Sequence, residues 1–215
     1  MSVRRRWSRI LLPVIVLLAV LVGLPVSRVS ILRAAGWALV VDEPVQPATV
    51  IVVPAWAGPA GALDAADLVH SGIASRVALL SEPPEPADEE LARRGIPYVD
   101  ENANLAQLLR VLGVANVETI PEPAAGTEAE GQVLLSWCDL HQFRSIIVVA
   151  TPDHSRRVRR VLRRSMLGHE AKVMIRSARY SSFDPDQWWM TREGTRTGII
   201  ELEKLLFDVI RHPIS

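Results

Sequence analysis

His154 and Arg157 stand three residues apart, directly after residues 145–150 (Ser-Ile-Ile-Val-Val-Ala), the most strand-like run in the chain. Thr151 suits a helix N-cap and Pro152 the first helical position, which puts His154 and Arg157 near a helix start, on one side of it. Backbone amides and a guanidinium there attract phosphate or carboxylate, and an imidazole can relay a proton. Asp153 sits in the same turn. A second helix start holds Thr127 and Glu130 at the spacing of a capping box, which by itself accounts for both side chains. The other use of such a start is to bind an anion on its free amides.

Other features invite a plainer reading. The loop at residues 54–61 contains Gly58 and Gly61 but neither G-x-G-x-x-G nor G-K-[ST], so it reads as a strand-to-helix turn without a nucleotide motif. Arg156, Arg157, Arg159, Arg160, Arg163 and Arg164 crowd one helix, as a solvated face or a surface for anionic lipid headgroups. Trp188 and Trp189 are adjacent and so are not expected to enter one core together, which leaves at least one to line a cleft or lie near a membrane. Glu201 and Lys204 read as an ordinary helix pair.

These side chains need a frame. Short runs at 49–53, 76–80, 96–99, 117–120, 145–150 and 172–175 have the length and β-branched content of strands buried on both faces. Helical stretches at 60–70, 88–94, 102–112, 127–143, 152–167 and 199–210 lie between and after them. In the last, Ile199, Leu202, Leu206, Val209 and Ile210 are expected to face inward. This alternation predicts an α/β fold, a mostly parallel sheet of five to six strands wound on both faces. Ligands of such sheets bind beyond the carboxyl ends of the strands, where the loops before Thr127 and His154 open.

The chain begins differently. Residues 10–26 run seventeen positions without a charge, about 26 Å of helix against a bilayer core of ~30 Å. Arg4, Arg5, Arg6 and Arg9 precede the run, which predicts a single-pass span with a cytoplasmic N-terminus and an extracytoplasmic body at the plasma (inner) membrane. A cleaved signal peptide is the alternative, but its apolar region is shorter and ends in a small-x-small site that is missing here. The 24 basic and 24 acidic residues balance over the whole chain, yet five of the basic ones fall in residues 1–29 with no acid. That leaves 19 basic against 24 acidic in residues 30–215, a net of −5, which argues against nucleic acid as a partner. One cysteine, Cys138, excludes an intrachain disulfide and a cysteine zinc cage. The expected organisation is a basic tail and anchor at 1–30, a linker at 31–47 and one domain at 48–215.

Taken in order, several of these features resemble the YdcF-like family, a domain of unknown function that includes SanA- and ElyC-type envelope proteins. The matching features are the anchor, the run at 49–53, and Ala66-x-Leu68-x-x-x-Gly72. Thr127-x-x-Glu130, His154-x-x-Arg157, Trp188-Trp189 and Glu201-x-x-Lys204 match as well. The resemblance covers roughly residues 45–210. It implies a Rossmann-like α/β fold and a link to cell-envelope or lipid-carrier metabolism, with no established reaction. The chain departs from the pattern at the turn after the first strand, Val53-Pro54-Ala55-Trp56-Ala57-Gly58, at Ser81-Glu82, and at Gly126 and Gly131.

From residues and resemblance together, the expected partner is an anionic small molecule or lipid-linked metabolite, with the membrane engaged through the N-terminal helix. His154 is the candidate acid/base. Gly58, Thr127, Glu130, Thr151, Asp153, Arg157, Trp188 and Arg192 are the candidate ligand-binding residues, with no metal or cofactor. The alternative is a non-catalytic scaffolding module that kept the fold and lost the chemistry, a reading that the altered glycine loops favour.

Overall fold

A computed structural model describes residue 23 and residues 25–96 and 101–213. Five strands form one sheet: β1 (Val50–Pro54), β2 (Val77–Leu80), β3 (Val117–Thr119), β4 (Ser145–Ala150) and β5 (Lys172–Ser177). Their order is β3-β2-β1-β4-β5 and every pairing is parallel, as a Rossmann-like α/β fold requires. Strand β1 is central because its residues are apolar on both faces. Ile51 and Val53 face one layer and Val50 and Val52 the other, all fully buried.

The helices are α1 (Pro25–Trp37), α2 (Gly58–His70), α3 (Pro86–Arg93), α4 (Glu101–Val111), α5 (Thr127–His141), α6 (Pro152–Ser165) and α7 (Arg192–Arg211). Ala62, Ala65 and Leu68 of α2 and Leu105 and Leu109 of α4 cover the first face of the sheet. Leu134, Trp137 and Cys138 of α5, with Val158 and Leu162 of α6, cover the second. Burial pushes the Cys138 thiol up to about 12, so this cysteine behaves as a small apolar side chain rather than a nucleophile. Helix α7 packs on α6 instead of on the sheet.

Residues 10–22 and 24 of the expected span lie outside the described residues. Among the described residues, no helix is long and apolar enough to cross a membrane. Of the strand expected at 96–99, residues 97–99 also lie outside them. Residues 31–47, the expected linker, lie against the sheet domain. They finish α1 and then run extended along α6 and β5, where Arg156 donates to the carbonyls of Ala38 and Val40, and the amide of Val41 donates to Ser155 Oγ at 2.7 Å. Glu43 accepts from Arg159 at 2.6 Å and from the amide of Ile175 at 2.9 Å.

The arginine-rich helix is correspondingly not a plain solvated face. Arg160 and Arg164 both donate to the buried carboxylate of Asp208, and Arg164 also reaches Glu128 at 2.6 Å. Of the six, Arg163 alone is exposed.

That pairing inverts the expected face of α7. Gly198, Glu201, Leu205 and Asp208 are its buried residues, while Ile199, Leu206 and Ile210 are 54%, 61% and 70% exposed and Val209 is exposed too. The neighbour of α7 is a basic helix, so the side that meets it must bring carboxylates. Leu202 alone of the expected stripe packs on a core, a small cluster of Leu39, Phe183, Trp188 and Leu205.

The same cluster places the two tryptophans. Trp188 is buried in it, donates from Nε1 to the carbonyl of Leu32 at 2.8 Å, and lies against Gly198, where a Cβ would overlap the indole. Trp189 packs on the cluster edge-on to Trp188, at 6.2 Å between ring centroids. Trp188 enters the core and half-buried Trp189 packs against its edge, with the rings held at right angles across a 3-10 turn, Trp188–Met190.

Candidate functional site

Strand order reverses between β1 and β4, and the loops leaving these two strands part there. Strand β1 runs into a 3-10 turn, Ala55–Ala57, that carries Trp56. Strand β4 runs into Thr151 and the start of α6. Strand β3 reaches the start of α5 through a loop ending at Gly126, whose φ of +82° suits glycine best. Helix α7 lies across the opening. The result is a cleft of about 310 Å³ bordered by Trp56, Thr127, Glu130, Thr151, Asp153, His154, Arg157, Glu201 and Lys204, with Glu82 and Gly126.

The side chains form one connected network. Arg157 Nη1 donates to Thr127 Oγ1 at 2.6 Å, and Arg157 Nε donates to Glu201 Oε2 at 3.2 Å. His154 Nδ1 stands 2.9 Å from the same carboxylate oxygen, and His154 Nε2 stands 3.3 Å from Thr127 Oγ1. Lys204 donates to Glu201 Oε1 at 2.7 Å. These contacts decide the tautomer. Glu201 is an acceptor, so Nδ1 carries the hydrogen and Nε2 keeps a lone pair directed toward Thr127. Arg157 Nη2 also lies 2.9 Å from Nδ1. With Nδ1 donating to Glu201, Nη2 donates instead to Nε2, 3.2 Å away.

Burial lowers the pKa of His154 against the opposing hydrogen bond to Glu201, which keeps the imidazole neutral at pH 7. Burial would by itself raise Glu201. The hydrogen bonds from His154 and Lys204 and the charge of Arg157 overcome it and hold this carboxyl at about 2. Glu130 shows the opposite balance. Burial lifts it from 4.5 to about 7 although Trp56 Nε1 donates to it at 2.7 Å. Asp153 is raised as well, mainly by burial, against hydrogen bonds from its own backbone and from Thr151. The Trp56 ring meets His154 edge-on at 4.5 Å and closes that side of the imidazole.

The arrangement has one low carboxylate, one neutral base and one acid poised near neutrality. A carboxylate that orients an imidazole, whose other nitrogen faces a hydroxyl, can move a proton at Nε2. Arg157 fixes the oxygen of that hydroxyl.

Of the expected site residues, the structure brings together Thr127, Glu130, Thr151, Asp153, His154 and Arg157. The capping box is absent. Gly126 holds the N-cap position, Thr127 receives Arg157, and Glu130 receives Trp56. Three expected residues stand elsewhere. Gly58 opens α2 with φ +54° but does not border the cleft. Trp188 is a core residue, and Arg192 is exposed at the first position of α7. Trp56, Glu201 and Lys204 are site residues that the sequence reading assigned to a plain turn and to an ordinary helix pair. Their signals were a tryptophan at a strand's carboxyl end and an acid–base pair within an apolar helix.

Compared with known protein-family models and with curated protein sequences, the chain matches none.

Proposed function

We propose that this cleft binds the anionic head of an envelope metabolite, a phosphate monoester or its lipid-linked form. On this reading the domain stands outside the plasma (inner) membrane, serves envelope biogenesis, and is a divergent relative of the YdcF-like family. The observation that carries the ligand class is Arg157, which joins the starts of α5 and α6 through Thr127 and stands beside His154. Two helix starts converge there, so their dipoles favour an anion, and a guanidinium completes the site. Lys204 adds a second cation, set against Glu201, which pairs with both, and Glu82, which also borders the cleft. The uncharged run at residues 10–26, behind four arginines, supports the membrane placement. If the ligand is turned over, His154 Nε2 is the proton acceptor and Arg157 the charge clamp.

Sulfate tests this without a titration of its own. Bound to the full-length chain in phosphatidylcholine nanodiscs, it should bind more tightly as pH falls from about 8 to about 6, by roughly tenfold. The sign follows from Glu130, which is a carboxylate above about 7 and neutral below it, so acid removes a repelling charge. Protonation of Asp153 and His154 at lower pH acts in the same direction. Glu130→Gln should flatten this pH dependence, and Arg157→Ala should weaken binding roughly tenfold or more, since charge-assisted bonds contribute about 1.5–3 kcal/mol each. Calorimetry that finds no sulfate binding, or binding indifferent to Arg157→Ala, would return the scaffold reading.

A further inference from the structure

Among the described residues nothing covers the apolar face of α7, and it leads into the cleft. Ile200, Leu206, Phe207 and Ile210 recur at helical spacing and form one wall of a groove of about 870 Å³. Phe207 is 64% exposed and Ile210 70%. Single exposed apolar residues are ordinary, but a continuous stripe beside a concavity marks a surface that something covers. Arg157 and Lys204 border both this groove and the polar cleft. The two concavities therefore meet at a pair of cations. Glu128, Glu203, Asp208, Arg211 and His212 also border the groove, so the apolar stripe runs beside charged side chains.

We infer that the groove holds the apolar chain of the same ligand whose anionic head occupies the cleft, an amphiphile with a phosphate-type head and a long hydrocarbon tail. The inference rests on the head-group reading above and extends it. Charge and polarity are arranged in the order such a molecule needs. Helix starts, Thr127 and His154 stand at one end, Arg157 and Lys204 lie at the junction, and aliphatic and aromatic side chains run onward. A protein partner that covered α7 alone would have no use for the junction with a buried polar site. A free, hydrophilic phosphate ester would leave the stripe bare.

The experiment is an alkyl phosphate series, methyl to hexyl, titrated into the full-length protein in phosphatidylcholine nanodiscs and into Leu206→Ser/Phe207→Ser. Both substituted positions are exposed, so the fold should persist, and an unchanged thermal unfolding transition verifies that. A fully enclosed methylene contributes about fourfold in affinity, and an open groove about half of that on a logarithmic scale, roughly twofold. Hexyl phosphate should then bind roughly thirtyfold more tightly than methyl phosphate to the native protein. In the double variant that ratio should drop to a few-fold, while sulfate binds as before. Partition into the bilayer is common to both proteins and cancels in the comparison.

A chain-length ratio that is absent from the native protein, or that survives in the double variant, overturns the inference. Hexanol binding as tightly as hexyl phosphate overturns it too. Light scattering that shows a native dimer and a monomeric double variant would instead make this face a contact between copies of the chain. Loss of sulfate and methyl phosphate binding together would be a failure of the head-group reading, and it is told apart because it does not depend on chain length.

Discussion

Glu201→Ala is expected to cost about 3–5 kcal/mol of folding stability, the range for removing one partner of a buried ion pair. The carboxylate is 7% exposed and receives His154, Arg157 and Lys204. Without it, Arg157 keeps Thr127 and His154 Nε2 but no carboxylate, and His154 Nδ1–H loses its acceptor. For a domain of this size the change corresponds to a lowering of the melting temperature by roughly 6–20 °C. Its pH dependence identifies the cause. A carboxyl held at about 2 when folded and near 4.5 when unfolded contributes stability that is complete above 4.5 and is lost as pH falls toward 2. The gap between the native protein and Glu201→Gln should therefore narrow across that window in denaturant melts. A gap that stays constant with pH would assign the loss to packing rather than to the charge.

Asp208→Ala should produce the second largest loss, about 3 kcal/mol. Asp208 is 7% exposed between Arg160 and Arg164, which draw its pKa down against the opposing effect of burial. Removing it leaves two guanidiniums on the α6–α7 seam without the buried carboxylate that joins them, while the carbonyl of His212 and the carboxylate of Glu128 remain as outer partners. Urea unfolding of the variant measures the loss. Stability within about 0.5 kcal/mol of the native protein would show that the arginines are satisfied by solvent and that the seam rests on Leu205 and its neighbours.

These two acids also show how far sequence pattern reaches. Strand β4 lies at residues 145–150 as its β-branched run predicts, and β1 and β2 are offset by one residue at their starts. Such runs are legible because a strand buried on both faces writes its environment into every position. Helix α7 is not legible in that way. Ile199, Leu206, Val209 and Ile210 point outward and Glu201 and Asp208 inward, because the surface it packs on is a row of arginines rather than a sheet. Hydrophobic periodicity assumes an apolar neighbour and fails when the neighbour is charged.

The site was half legible for a related reason. His154 and Arg157 are one turn apart on one helix, so a local pattern contains them. Glu201 meets His154 across 47 positions, and Trp56 meets Glu130 across 74, and neither contact leaves a local trace. Thr127 and Glu130 misled because the spacing of a capping box also puts both side chains on one side of a helix start. Gly126 takes the cap position, which frees both for the cleft.

The central claim is that Thr127, His154, Arg157 and Glu201 form one anion-binding unit with a neutral imidazole at its centre. The most direct measurement is the ¹⁵N imidazole spectrum of His154 at pH 7, assigned by difference from His154→Gln, with and without saturating sulfate. The free protein should show a neutral ring protonated at Nδ1. Sulfate should protonate Nε2, because a bound anion favours the imidazolium. A ring already charged in the free protein, or a neutral ring that does not respond to sulfate, would contradict it.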